Sequence, residues 1–277
     1  MTPSADALNA AADALRAAGV EDPRLDAEVL LAAATGEGRA ALVAGTEIEP
    51  AASRRFGEMV RRRLRREPVA YIVGSKGFRG IELAVDPQVL IPRPETELLV
   101  ELAVERGPAT VLDVGTGSGA IALAVADELP GCEVTATDTS PSALGVARVN
   151  AERLGLGERV RFLPGTLPAE EDFELVLANL PYVAETEWSS LQPEVTRWEP
   201  RQALLAGPDG LDAIRALLEE CGRHFDRYAN PMTTALALEV GAGQAPAVAT
   251  LMEEAGWLAI EVRRDLAGIE RVVVGER

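Results

Sequence analysis

Val111-Leu112-Asp113-Val114-Gly115-Thr116-Gly117-Ser118-Gly119 is the stretch on which the fold turns. A strand-like apolar run meets glycines at every second position, and a helical pattern follows over 118–129. Glycine recurs where the chain must bend tightly and bring its backbone up to a ligand without Cβ clashes. Downstream, the pattern predicts strands over 110–114, 133–137, 159–162, 173–178 and 234–240. Helices are predicted over 118–129, 141–154, 211–221 and 246–255. Such alternation argues for a mostly parallel sheet covered on both faces. Residues 258–263 and 271–274, joined through a Gly-containing loop, read as a closing antiparallel hairpin.

Upstream the texture is helical. Leu8, Ala11, Ala12 and Leu15 recur at helical spacing before Gly19, and further helices are predicted over 26–34 and 50–66. The arginine-rich run 61–66 offers a binding patch as one reading, but it suits the C-terminal dipole of that last helix and reads first as a solvated end. Tyr71–Gly74 reads as strand, and 78–85 alternates as a hairpin would. In the rigid loop 91–96, Pro94 suits the first turn of the next helix.

The chain has 277 residues, enough for one large α/β domain and a smaller partner. With 44 acidic against 27 basic residues its formal charge is -17, which opposes phosphate backbones. No direct nucleic-acid contact is expected. No apolar run reaches the roughly 18 residues of a membrane span, so the expectation is a cytoplasmic protein without membrane contact. Cys132, Cys221 and the single His224 make neither a disulfide scaffold nor a Cys/His metal site, so no metal is expected. The cysteines lack neighbours that would activate a thiolate, and His224 reads as a helix-end residue.

Two motifs carry chemistry. Asp138 ends the second strand about twenty residues after the glycine loop, where a carboxylate can hold ribose hydroxyls. Read with Ala120, the loop also satisfies G-x-G-x-x-A, so a nicotinamide dinucleotide competes as ligand. Asp113 ahead of the turn, Gly119 as a further close glycine, and the closing hairpin favour S-adenosylmethionine instead, since together they resemble the class I methyltransferases. The second motif, Asn179-Leu180-Pro181-Tyr182, follows a buried-looking strand at the sheet edge where such folds bind ligands. An asparagine oxygen and a nearby backbone carbonyl can accept both N–H bonds of a planar, weakly nucleophilic amine or amide and orient its nitrogen. A tyrosine ring can pack on such a group, and Pro181 stiffens the turn.

With these residues, 68–74, 89–97, 199–201, 209–212 and 265–268 make the chain resemble, from end to end, the HemK/PrmC family. Those enzymes methylate the glutamine of the Gly-Gly-Gln motif in peptide-chain release factors. The resemblance implies a Rossmann-like, mostly parallel seven-stranded catalytic domain over 93–277. It also implies a helical substrate-recognition domain over 1–70 and a β-hairpin linker over 71–92. It implies S-adenosylmethionine at Asp113, Gly115, Thr116, Gly117, Ser118, Gly119, Asp138, Leu167 and Asn179. Substrate binding and catalysis fall to Asn179, Leu180, Pro181 and Tyr182, and the partner is a class I release factor met by a monomer. Leu180 stands where the family usually has proline, yet offers the same backbone carbonyl. Thr166 and Leu167 stand where it has an acidic residue and an aromatic, so adenine contacts must differ. Two other readings share these residues: an adenine or cytosine amine methyltransferase, and a cofactor-binding module with little turnover.

Overall fold

The structure, a computed structural model, describes residues 2–43, 45–168, 171–225 and 234–277. It divides into two compact units, Met1–Ser75 with Gln192–Trp198, and Lys76–Leu191 with Glu199–Arg277. In the first, β1 (Thr2–Pro3) pairs with β2 (Glu47–Ile48) beside the helices of residues 4–73. These are α1 (Ser4–Ala17), α2 (Pro23–Thr35), α3 (Arg39–Val43), α4 (Pro50–Leu64) and α5 (Val69–Val73). Leu8, Leu15, Leu30, Leu31 and Phe56 share one core. Val69–Val73 is where expectation and structure part: 71–73 is helix with Gly74 as its cap, not strand. Pro68 precedes the first turn, Gly74 ends it at φ 82°, and a helix turn buries both Tyr71 and Ile72. Local punctuation outweighs β propensity there.

The arginine run at the end of α4 is largely spent on ion pairs. Arg62 holds Glu67. Arg63, with a 7% exposed side chain, holds Asp26 at 2.7 Å and Glu194 at 2.7 Å. Arg66 takes Glu194 in a two-bond fork at 2.7 Å on each oxygen. Burial pushes the Glu194 carboxyl up, but the two arginines more than offset it and leave it below its ordinary value. Glu194 sits on the short helix Pro193–Trp198, which belongs to this unit.

The second unit opens with a hairpin, β3 (Ser75–Phe78) and β4 (Ile81–Ala84), then the 3-10 turn Pro94–Thr96 and α6 (Glu97–Arg106). There follow β5 (Thr110–Val114), α7 (Ala120–Glu128), β6 (Glu133–Asp138), α8 (Pro141–Arg153), β7 (Val160–Pro164) and β8 (Leu175–Ala178). With α9 as the Pro193–Trp198 helix, the rest is α10 (Asp212–Phe225), β9 (Ala235–Glu239), α11 (Ala245–Glu254), β10 (Leu258–Arg264) and β11 (Glu270–Glu276). The seven strands lie in the order β10-β11-β9-β8-β5-β6-β7, parallel except for β11, which is antiparallel to both its neighbours.

Alternation along each strand fills both faces. Val111, Leu175, Leu177 and Ala237 pack with Leu99, Leu102 and the apolar residues of α7. Leu112, Val114, Val176 and Leu238 pack with Leu217, Val248 and Trp257. The register aligns Val114 with Ala178 and Thr137, and Ala178 with Leu238. The residues that follow therefore emerge side by side at one edge. No helix among the described residues is long and apolar enough to cross a membrane.

Candidate active site

At that edge a cavity of about 400 Å³ opens. Its wall includes Gly115, Thr116, Gly117, Ser118, Asp138, Asn179, Leu180 and Pro181. The glycine turn is held from several sides. Gly115, Gly117 and Gly119 take φ of 75°, 57° and 86°, a region that costs other residues about 1–2 kcal/mol each. The amides of Gly115 and Thr116 both donate to the Thr137 carbonyl at 2.9 Å. Asp138 accepts from Gly117 N at 2.9 Å and Ser140 N at 2.8 Å, one bond on each oxygen. Each oxygen keeps lone pairs able to accept further hydrogen bonds.

Four of the residues expected at the site stand behind the wall. Asp113 is fully buried; its Oδ2 accepts from Thr116 Oγ1 at 2.6 Å and Ala122 N at 3.2 Å. Burial raises its carboxyl to about 7 despite those bonds, and Oδ1 has no partner among the described residues. Asp113 thus braces the loop from beneath. Gly119 opens α7, where a Cβ would stand 2.9 Å from Leu123 Cδ1, so it serves packing. Leu167 packs on the second core face, while its neighbour Thr166 reaches the cavity and bonds Glu220. Tyr182 stands off the wall, its hydroxyl pushed up to about 12 by burial and by Glu239.

Asn179 is the centre of the second motif. Its Nδ2 donates to Thr96 Oγ1 at 2.9 Å, and its buried Oδ1 has no partner among the described residues. Thr96 ends the 91–96 loop. Glu199 locks that loop, accepting from Ile91 N at 3.1 Å and pairing with Arg93. The turn after Asn179 is clamped too: Gln244 Nε2 donates to the Tyr182 carbonyl at 2.9 Å, and Gly241 N donates to Gln244 Oε1 at 2.8 Å. Gly210 must lack a Cβ, which would lie 2.3 Å from that carbonyl. Leu180 covers Gly115, its Cδ2 3.2 Å from where a Cβ would stand, so packing steadies a position that lacks proline's ring. Asp265 closes the last hairpin, accepting from the amides of Ala267 and Ile269 at 2.9 Å.

Several working residues escaped the sequence reading. Glu239 ends β9, 2% exposed, and burial raises its carboxyl to about 7 against the nearby Thr96 and Tyr182 hydroxyls. A carboxylate ending an apolar strand was the available signal, the same one that marked Asp138. Asn150 of α8 had none. It binds Ala84 N and O at 2.7 and 3.0 Å and the Ser118 carbonyl at 2.9 Å. The other polar candidates lie elsewhere: Cys132 and Cys221 are buried free thiols pushed up to about 11 and about 12 by burial. His224 meets Asp172 at 3.0 Å near the end of α10. Among the described residues no cluster of His, Cys, Asp and Glu could hold a metal ion.

Comparison with known proteins matches residues 6–74 to the PrmC N-terminal domain and 111–198 to a methyltransferase domain. A release factor glutamine methyltransferase of Cereibacter sphaeroides is 42% identical over 274 residues, covering 98% of this chain and 97% of that one. The Deinococcus radiodurans protein of that name is 41% identical, covering 98% of each. Among solved structures, a Pyrococcus furiosus methyltransferase superposes with a TM-score of 0.52 at 20% identity, over 71% of this chain and 89% of that one. The hMettl16 catalytic domain superposes with a TM-score of 0.56 at 13% identity, over 71% and 75%. These two likenesses establish the methyltransferase fold, and the near-full-length matches at about 40% establish the lineage. The chain belongs to the family of release factor glutamine methyltransferases.

Proposed function

We propose that this chain transfers the methyl group of S-adenosylmethionine to the side-chain amide nitrogen of the Gly-Gly-Gln glutamine in class I release factors. Asn179 carries the reading: a half-buried carboxamide at the cavity wall, tied by its nitrogen and with its oxygen lacking a partner among the described residues. The cofactor is supported by the donor set around the cavity. Gly115 and Gly117 hold left-handed backbone there, and Asp138 presents lone pairs to a ribose.

When bound, S-adenosylmethionine supplies a methyl group on a positively charged sulfur, already activated for displacement. The protein's task is to make a poor nucleophile attack. An amide lone pair is delocalised into the carbonyl, so charge must be stabilised on nitrogen as the N–C bond forms and the C–S bond breaks. Asn179 Oδ1 and the Leu180 carbonyl accept the two amide N–H bonds, aim the nitrogen and stabilise that charge. Pro181 stiffens the turn that presents them, and Tyr182 supports that turn from behind the wall. The nitrogen then releases a proton to solvent. The helical part, 1–70, grips the release factor and 71–92 connects it to the catalytic part, 93–277, in a cytoplasmic monomer.

The test combines purified protein, S-adenosylmethionine and unmodified release factor, read by peptide mass spectrometry. One methyl on that glutamine, lost in Asn179→Ala, is the expected result. An unmodified factor under conditions where the cofactor binds would refute the assignment.

A further inference from the structure

The chain has no acid at 166 or 167, just past β7, yet a carboxylate stands there all the same. Glu220 of α10, 54 positions beyond Thr166, brings it. Its Oε2 accepts from Thr166 Oγ1 at 2.5 Å, and its Oε1 accepts from Leu167 N at 3.4 Å. A backbone amide can only donate and a carboxylate offers lone pairs only, so the Thr166 proton is committed to Glu220. Thr166 Oγ1 is left with lone pairs alone. Thr166 lines the cavity, and Glu220 stands behind it.

The order of strands along the edge decides which part of a nucleoside cofactor meets that oxygen. In the sequence β8-β5-β6-β7, the residues that follow each strand are Asn179, the glycine turn, Asp138 and Thr166. Asp138 pairs with Pro164, and Gly165 N donates to the Asp138 carbonyl at 3.0 Å, so Thr166 comes just past that contact. A ribose held at Asp138 must send its sulfur back over the glycine turn for the methyl group to reach Asn179. The base then falls on the other side of Asp138, at β7. Adenine brings an exocyclic amine there, a donor that needs an acceptor. We propose that Glu220 fixes the Thr166 hydroxyl as the acceptor of that amine, and so selects a 6-amino over a 6-oxo purine.

Thr166 is the contact and Glu220 a positioning residue that acts through it. A 6-oxo purine presents an acceptor where adenine presents a donor. Against an oxygen with no proton to give, that acceptor is desolvated and left unpaired, which is costly. Released from Glu220, the hydroxyl is free to turn and donate, and the preference disappears. The inference rests on the S-adenosylmethionine reading of the cavity.

Titration calorimetry without any release factor compares S-adenosylhomocysteine with its 6-oxo analogue, S-inosylhomocysteine, on each protein. The two share ribose and amino-acid tail, so a folding or cavity defect weakens both and leaves their ratio alone. Wild type is expected to prefer the amine about 30-fold. Glu220→Met, similar in length but with no carboxylate, brings the ratio to about threefold or less, chiefly because the 6-oxo ligand binds better. Thr166→Val reaches a similar ratio by weakening the amine ligand about tenfold, and Thr166→Ser keeps the wild-type preference. No preference in wild type, or an unchanged ratio in Glu220→Met or Thr166→Val, overturns the proposal while the cofactor reading stands. A wild-type protein that binds neither ligand refutes the cofactor reading, and the proposal with it.

Discussion

Replacing Asn150 by alanine takes three hydrogen bonds from a residue with no exposed surface. The Ala84 amide, the Ala84 carbonyl and the Ser118 carbonyl are left facing a hole between α8, β4 and the glycine turn. A buried group stripped of its partner costs about 1–3 kcal/mol. Water entering the vacated space returns part of that, so the expected loss is about 3–4 kcal/mol. For a unit of this size that corresponds to a melting point about 10 °C lower. Asn150→Leu separates the possible causes. Leucine fills the hole without donating or accepting and keeps water out, so it must be the worse replacement, by about 1 kcal/mol or more. Urea unfolding of both variants, followed by near-ultraviolet circular dichroism with the slope m checked for constancy, supplies the comparison. A leucine variant as stable as the alanine variant would show that volume, not hydrogen bonding, matters at 150, and the reasoning would fall.

Two further expectations concern the glycine loop and its support. Gly117→Ala puts a Cβ at the cavity wall, where it meets only the Gly115 carbonyl at 4.0 Å, whereas Gly119→Ala drives one to 2.9 Å from Leu123 Cδ1. Calorimetric titration should show the first weakening S-adenosylmethionine at least tenfold for about 1–2 kcal/mol of left-handed strain, and thermal melts should show the second losing more stability. Equal effects of the two on affinity would contradict the placement. The Asp113 carboxyl, raised by burial from 3.8 to about 7, holds a proton in the folded state that the unfolded chain releases. Its stabilising contribution is therefore full below the unfolded value and is lost as pH climbs through about 7. Asp113→Asn removes that dependence, so between pH 5 and pH 8 the variant's stability should gain on wild type in urea titrations; parallel curves would refute it.

How much of this was legible follows the distance over which each contact acts. The strand Thr110–Val114, its glycines, Asp138 and Asn179 could be read because each announces itself within a few residues. Tyr71–Val73 misled because β-branched and aromatic side chains suggested a strand, while Pro68 and Gly74 set a single helical turn. Glu239 and Thr96 are 143 positions apart and meet only because β9 lies next to β8, an adjacency that strand propensity does not contain. Asn150 reaches 66 residues back to Ala84 and 32 to Ser118. Leu167, which the resemblance puts at the cofactor, packs on the second core face, a contact that no local pattern announces.

The first unit is not one continuous piece of chain, since Gln192–Trp198 is threaded through the later sequence. Inheritance of the helical unit as a movable cassette is thereby constrained. A gene fragment ending after Ser75 would encode Arg63 and Arg66 without the glutamate both of them clasp, leaving a nearly buried guanidinium with half its counter-charge gone. Recombination that grafts these helices onto another catalytic scaffold must carry a matching acidic helix at a second, distant locus. The two stretches are in that sense bound to evolve together.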